Sequence, residues 1–187
     1  MDRMIALSFF PFPFLAGLLV LVAVLLVLRH AKRPPAYLFV FSVFWLYLMM
    51  VAALTIFPLF LPLEGESRRS VGEIMARVNL VPFHQMPGGR LPFRLRGEMV
   101  ANILMTIPFG LLFPLLARVK PWLFPIIALG IGMAIELTQL TMNLYSGNTF
   151  RVTDINDVIF NFTGAIIGYG IYLILRGAVW LARRLAK

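Results

Sequence analysis

Asp154-Ile155-Asn156-Asp157-Val158-Ile159-Phe160-Asn161-Phe162-Thr163-Gly164-Ala165-Ile166-Ile167-Gly168 carries polar groups into a run that continues apolar as far as Leu175. Asp154, Asp157 and Asn161 recur at i, i+3, i+7, and Gly164 and Gly168 extend the same stripe. That spacing predicts one face of an α-helix. Earlier in the chain, Glu136, Gln139 and Asn143 repeat it. Carboxylates and amides are costly in hydrocarbon and are retained where they pair, line a cavity or do chemistry. Two such stripes on successive apolar helices point to a functional site.

Hydrophobic residues make up 60% of the 187 and charged residues 13%. A soluble domain carries about twice that charged fraction, so the chain reads as an integral membrane protein. Its length suits a single membrane domain over residues 1–187. The absence of cysteine excludes a disulfide framework, a thiol nucleophile and Cys-based metal sites. The net charge of +9 comes from short basic clusters between apolar runs. In that position they read as orientation signals and lipid-headgroup contacts, not as a nucleic-acid surface.

Five apolar segments approach the ~20 residues needed to cross a bilayer: Phe9 to Leu28, Ala36 to Phe60, Met99 to Ala117, Pro121 to Leu144, and Ile155 to Leu175. The first lacks a small-residue cleavage site and is expected to be a retained anchor. The predicted fold is therefore all-α, a bundle of about five transmembrane helices. Arg29, Lys32 and Arg33 follow the first span, Arg118 and Lys120 the third, and Arg176, Arg183, Arg184 and Lys187 the fifth. All three clusters then fall on one side. The positive-inside rule makes that side the cytoplasm, with the N-terminus outside the cell membrane and the C-terminus inside. The long loop from Leu61 to Glu98 would lie outside, although it holds Arg68, Arg69, Arg77, Arg90, Arg94 and Arg96. Glu136, Gln139, Asp154, Asp157, Asn161 and Asn102 all come to the outer boundary in this arrangement.

Within the long loop, Val71, Ile74, Met75 and Val78 follow i, i+3, i+4, i+7, which predicts a short amphipathic helix at the membrane surface. Pro82, Pro87 and Gly88-Gly89 then predict irregular backbone. Four elements recur in order here: Asn79-Leu80-Val81-Pro82-Phe83; Asn102 with Ile107-Pro108-Phe109-Gly110; Glu136-Leu137-Thr138-Gln139; and Arg151-Val152-Thr153-Asp154-Ile155-Asn156-Asp157 leading to Asn161-Phe162-Thr163-Gly164. Together they resemble the VanZ-like family, small membrane proteins named for a teicoplanin-resistance determinant. The resemblance covers about 79–170, with the first two helices, about 9–60, as an anchor without motifs. It implies a bundle of four or five spans and a resistance phenotype, not a known reaction.

Each polar residue carries a structural reading beside a functional one. Asp154 and Asp157 share a face of the first turn, where a carboxylate caps free N–H groups and meets the positive end of the helix dipole. Arg151 is the nearest partner for Asp157, or a bidentate grip for a phosphate. Glu136 stands well inside an apolar helix, as a hydrogen-bond partner of a facing helix, a neutral acid, or a general acid or base. Gln139, Asn143, Asn102 and Asn161 suit interhelical bonding, and Gly164 and Gly168 suit close packing. Pro108 and Pro114 predict a kinked third span. His84 is one of two histidines. It could complete a mixed nitrogen–oxygen metal site, but no metal-ligand spacing accompanies it, so no metal and no cofactor is assigned.

The candidate ligand-binding set is Asn79, His84, Asn102, Glu136, Gln139, Arg151, Asp154, Asp157 and Asn161, with Glu136, His84 and Asp157 as catalytic candidates. The first expected function is binding at the outer leaflet of an envelope lipid, a lipid-linked cell-wall intermediate or a lipoglycopeptide, contributing to teicoplanin-type resistance or envelope homeostasis. Membrane lipids are the expected partners, and nucleic acid is not one. The alternatives are an intramembrane enzyme acting on a lipid head group through Glu136 or His84, and a small proton-coupled transporter. The absence of an internal repeat lowers the last.

Overall fold

The computed structural model describes residues 5–61, 68–83 and 93–186. The chain runs β1 (Ile5–Leu7), α1 (Phe12–His30), α2 (Pro35–Thr55), β2 (Leu59–Leu61), α3 (Val71–Met75), α4 (Phe93–Leu116), a 3₁₀ turn (Pro121–Leu123), α5 (Phe124–Ser146) and α6 (Ile155–Leu185). Among the described residues, five helices are long and apolar enough to cross a membrane, so the fold is the expected all-α, multi-pass type. Large apolar side chains stand outward from them, including Leu19 at 72% exposure, Phe39 at 70% and Ile174 at 73%. Exposed apolar surface on that scale marks contact with a membrane.

Three spans differ in extent from the sequence expectation by five residues or more, α4 by starting at Phe93, six residues before Met99. α2 ends at Thr55, short of Phe60. Pro58 disfavours helix in the residue before it, and Leu59–Leu61 pairs antiparallel with Ile5–Leu7 in the register Ile5↔Leu61, Ala6↔Phe60, Leu7↔Leu59. Neither strand was expected. α6 continues to Leu185, ten residues beyond Leu175, so that Arg176, Arg183 and Arg184 ride on the helix. Pro108 and Pro114 lie inside α4, which runs through both of them.

Contacts gather the chain into two compact units, Met1–His84 with Met133–Asn156, and Gln85–Gly132 with Asp157–Lys187. In the first, α1 packs on α2, and the Trp45 indole donates to the Gly17 carbonyl at 3.0 Å. Pro35 opens α2, where its fixed φ suits the helix and its missing N–H costs nothing. Gly147 ends α5 with φ +67, the left-handed conformation glycine adopts most cheaply, and its carbonyl accepts the Arg69 N–H at 2.9 Å.

The expected amphipathic helix is present as α3, shorter than read, with Ile74 buried and Val71 and Met75 outward. Ser70 and Glu73 form a capping box at its start. The Ser70 backbone N–H and then its hydroxyl, with Arg69 and Arg77 nearby, hold the Glu73 carboxyl below its ordinary value of 4.5. A depressed folded value means the cap stabilises α3 above the ordinary value and is lost as pH falls through the folded one. Ser70→Ala should return the Glu73 titration, followed by its carboxyl carbon shift, toward 4.5.

In the second unit α4 and α6 meet backbone to backbone. A Cβ added at Gly164 would collide with the Ile103 carbonyl and the Thr106 hydroxyl. One added at Gly168 would collide with the Ile107 carbonyl, and one at Gly110 with that of Ala165. This is the small-residue packing expected of the stripe. Phe124, fully buried, stacks on Tyr169 with ring centroids 4.1 Å apart.

Candidate functional site

In the first unit, α6 begins at Ile155 because Asp154 caps it. The Asp154 Oδ1 accepts the Asn156 backbone N–H at 2.8 Å, the bond an N-cap carboxylate makes. The same oxygen accepts Nδ2 of Asn79 at 3.0 Å. Asn79 is itself pinned by its main chain. Its N–H donates to the Thr153 carbonyl and its carbonyl accepts the Ile155 N–H, each at 2.9 Å, forming an isolated parallel bridge. Its Oδ1 turns the following residues by accepting the Val81 N–H at 3.1 Å. The Asn156 Oδ1 accepts the Phe83 N–H at 2.8 Å. Glu136, only 4% exposed on α5, accepts the Asp154 N–H at 3.0 Å. Three of the four motifs thus close into one hydrogen-bonded knot around the start of a helix.

A second cluster forms at the C-terminus of α2, where the last carbonyls lack partners within the helix. Nη2 of Arg151 donates to the Leu54 carbonyl at 2.8 Å and the Phe57 carbonyl at 3.2 Å. Nε2 of Gln139 donates to the Thr55 carbonyl at 3.2 Å. A cation also meets the negative end of the helix dipole there. Arg151 therefore caps α2. Asn143 holds the loop that delivers it, with Nδ2 donating to the Arg151 carbonyl at 2.6 Å.

Beside this cluster opens a cavity of about 310 Å³. Gln139, Asn143 and Arg151 form its polar side, while Leu59, Phe60, Met142 and Phe150 line the rest. Phe60 and Phe150 stack at 3.8 Å between centroids, so the unexpected strand β2 supplies one wall. Binding pockets for small molecules start near ~300 Å³ and combine apolar walls with a few polar groups. Nη2 makes both of the α2 bonds, and among the described residues no bond is shown for the other Arg151 N–H groups.

In the second unit, Asp157 accepts Nδ2 of Asn102 at 2.6 Å, joining α6 to α4. Thr106 returns its hydroxyl to the Asn102 carbonyl at 2.9 Å. Asn161 is 1% exposed and its Oδ1 has no hydrogen-bond partner among the described residues. The stripe of Asp154, Asp157 and Asn161 is thus real in spacing, but its members serve different ends: a cap tied to Asn79, a bond to Asn102 and a buried amide. His84 lies outside the described residues. Asn156, fully buried with its Nδ2 unpartnered among the described residues, was not singled out from sequence because it falls off the i, i+3, i+7 face. Its one sequence signal is its place between two aspartates at the head of an apolar helix.

A family model described as VanZ/LLP1 matches residues 44–176, from within α2 to the last third of α6. No curated protein and no solved structure matches the chain.

Proposed function

The chain belongs to the VanZ/LLP1 family, and from that premise we propose that it is a membrane protein that binds an amphiphile carrying an anionic head. An envelope lipid, a lipid-linked cell-wall intermediate and a lipoglycopeptide share this chemistry. The cavity beside Arg151 is the observation that carries the reading. Its aromatic and aliphatic walls suit an acyl or isoprenoid chain, and the guanidinium suits a phosphate or carboxylate. Occupancy at the outer leaflet would shield or sequester such a molecule, which agrees with the teicoplanin-resistance phenotype the VanZ-like resemblance implies. The knot of Asn79, Glu136 and Asp154 supports this site by holding the loop on the start of α6.

An enzymatic reading draws less support. Glu136 accepts a backbone N–H and is nearly inaccessible, as suits a structural carboxylate.

Met142→Trp tests the proposal, because it fills the apolar side of the cavity and leaves the α2 caps in place. Gently extracted wild-type protein should carry a bound anionic amphiphile in native mass spectrometry. The variant should lose most of it at unchanged helicity, with a matching fall in teicoplanin tolerance of expressing cells. Equal ligand content in the two proteins would overturn the proposal.

A further inference from the structure

α6 is longer than a bilayer requires. Its 31 residues span about 46 Å at ~1.5 Å per residue, against a hydrocarbon core of ~30 Å. Arg176 lies about 31 Å along the axis from Ile155, one hydrocarbon thickness away. Beyond it the helix does not become uniformly polar. Arg176, Val179, Trp180 and Arg183 follow i, i+3, i+4, i+7 and so share a face.

That face lines a groove of about 520 Å³ in the second unit, with Leu115 of α4 and Leu175 among its apolar walls. Leu115 is 50% exposed and Trp180 60% exposed, so the groove is open to its surroundings. Among the described residues, neither Arg176 nor Arg183 has a hydrogen-bond or ion-pair partner. Arg184, by contrast, sits over the Trp180 ring at 5.2 Å and keeps that indole at the rim. Tryptophan and arginine are both at home at headgroup depth, where an indole straddles the boundary and a guanidinium meets phosphate.

We propose that this groove is a binding site for an anionic phospholipid. One acyl chain lies along Leu115, Leu175 and Val179, and the phosphate is held between Arg176 and Arg183. Two cations with no acidic partner at the end of an apolar groove favour a lipid with net negative charge over a zwitterionic one. The guanidinium fork adds bidentate recognition of the phosphate oxygens. The site is separate from the cavity beside Arg151 and shares no residue with it.

The test is native mass spectrometry of the purified full chain, titrated with phosphatidylglycerol or with phosphatidylcholine of the same acyl chains. The wild type should retain phosphatidylglycerol about thirtyfold more strongly, since each of the two cations contributes about one kcal/mol near an anionic lipid. The double variant Arg176→Gln with Arg183→Gln should lose that preference. Arg118→Gln, an exposed cation outside the groove, should keep it. Val179→Trp fills the apolar end and should weaken both lipids while leaving the arginines intact. Equal retention of the two lipids by the wild type would overturn the proposal, as would a loss in Arg118→Gln matching that of the double variant. A lipid-free species of two chains would also overturn it and assign the groove to a second copy. With the amphiphile cavity filled by Met142→Trp, the preference carried by Arg176 and Arg183 should remain and the double variant should still abolish it, which separates failure of this site from failure of that cavity.

Discussion

Asp154→Ala is expected to destabilise the protein by about 3 kcal/mol, because one oxygen of Asp154 does two jobs. It caps α6 through the Asn156 N–H and holds the Asn79 amide. Loss of an N-cap costs ~1 kcal/mol, and loss of a hydrogen bond to a charged acceptor costs a further ~1.5–3 kcal/mol. Asp154→Asn should cost less than ~1 kcal/mol, since asparagine caps about as well and keeps the acceptor oxygen. Thermal unfolding in detergent would read both changes. If Asp154→Asn proves as damaging as Asp154→Ala, the negative charge itself is required and capping is not the residue's main role. Glu136→Gln should behave in the same way, retaining an oxygen to accept the Asp154 N–H. An acid/base catalyst would lose its activity on that change while keeping its fold.

Gly168→Leu should be more damaging still, above ~3 kcal/mol, the upper end of ordinary overpacking. A side chain here meets the Ile107 carbonyl and the Leu111 N–H region of α4, which are backbone and cannot rotate aside. The same change at Gly170, where nothing stands within 4 Å, should be tolerated. Comparing the folded fractions of the two variants after extraction separates interhelical contact from the general effect of replacing glycine in a helix. Similar yields would show that α4 and α6 do not approach at this point.

The chain's local order was legible because hydrophobicity and helical spacing are read over one or two turns. The spans, the small-residue stripe and the cap at Asp154 all follow from neighbours in sequence. The candidate site was legible only as a set of polar residues. Asn79 and Asp154 are 75 positions apart, and Arg151 and Leu54 are 97 apart, so no periodicity links them. Arg151 shows the difference most directly. Sequence offered Arg151 as a partner for Asp157, six residues on, or as a grip for a phosphate, and gave no sign that its guanidinium also reaches the carbonyls at the end of α2.

By itself, the sequence determined that the chain is a helical membrane protein of the VanZ type, with five spans and costly polar groups on the last two. Burial of apolar length in hydrocarbon is a sum over residues, and composition is enough to fix it. Tertiary structure alone decided which of those groups are satisfied, and by what. Strand β2, with no distinctive sequence signal, forms a wall of the cavity by pairing with the N-terminal strand and stacking Phe60 on Phe150. Hydrogen bonds and cavities depend on where distant backbone atoms end, and only the folded chain brings those ends together.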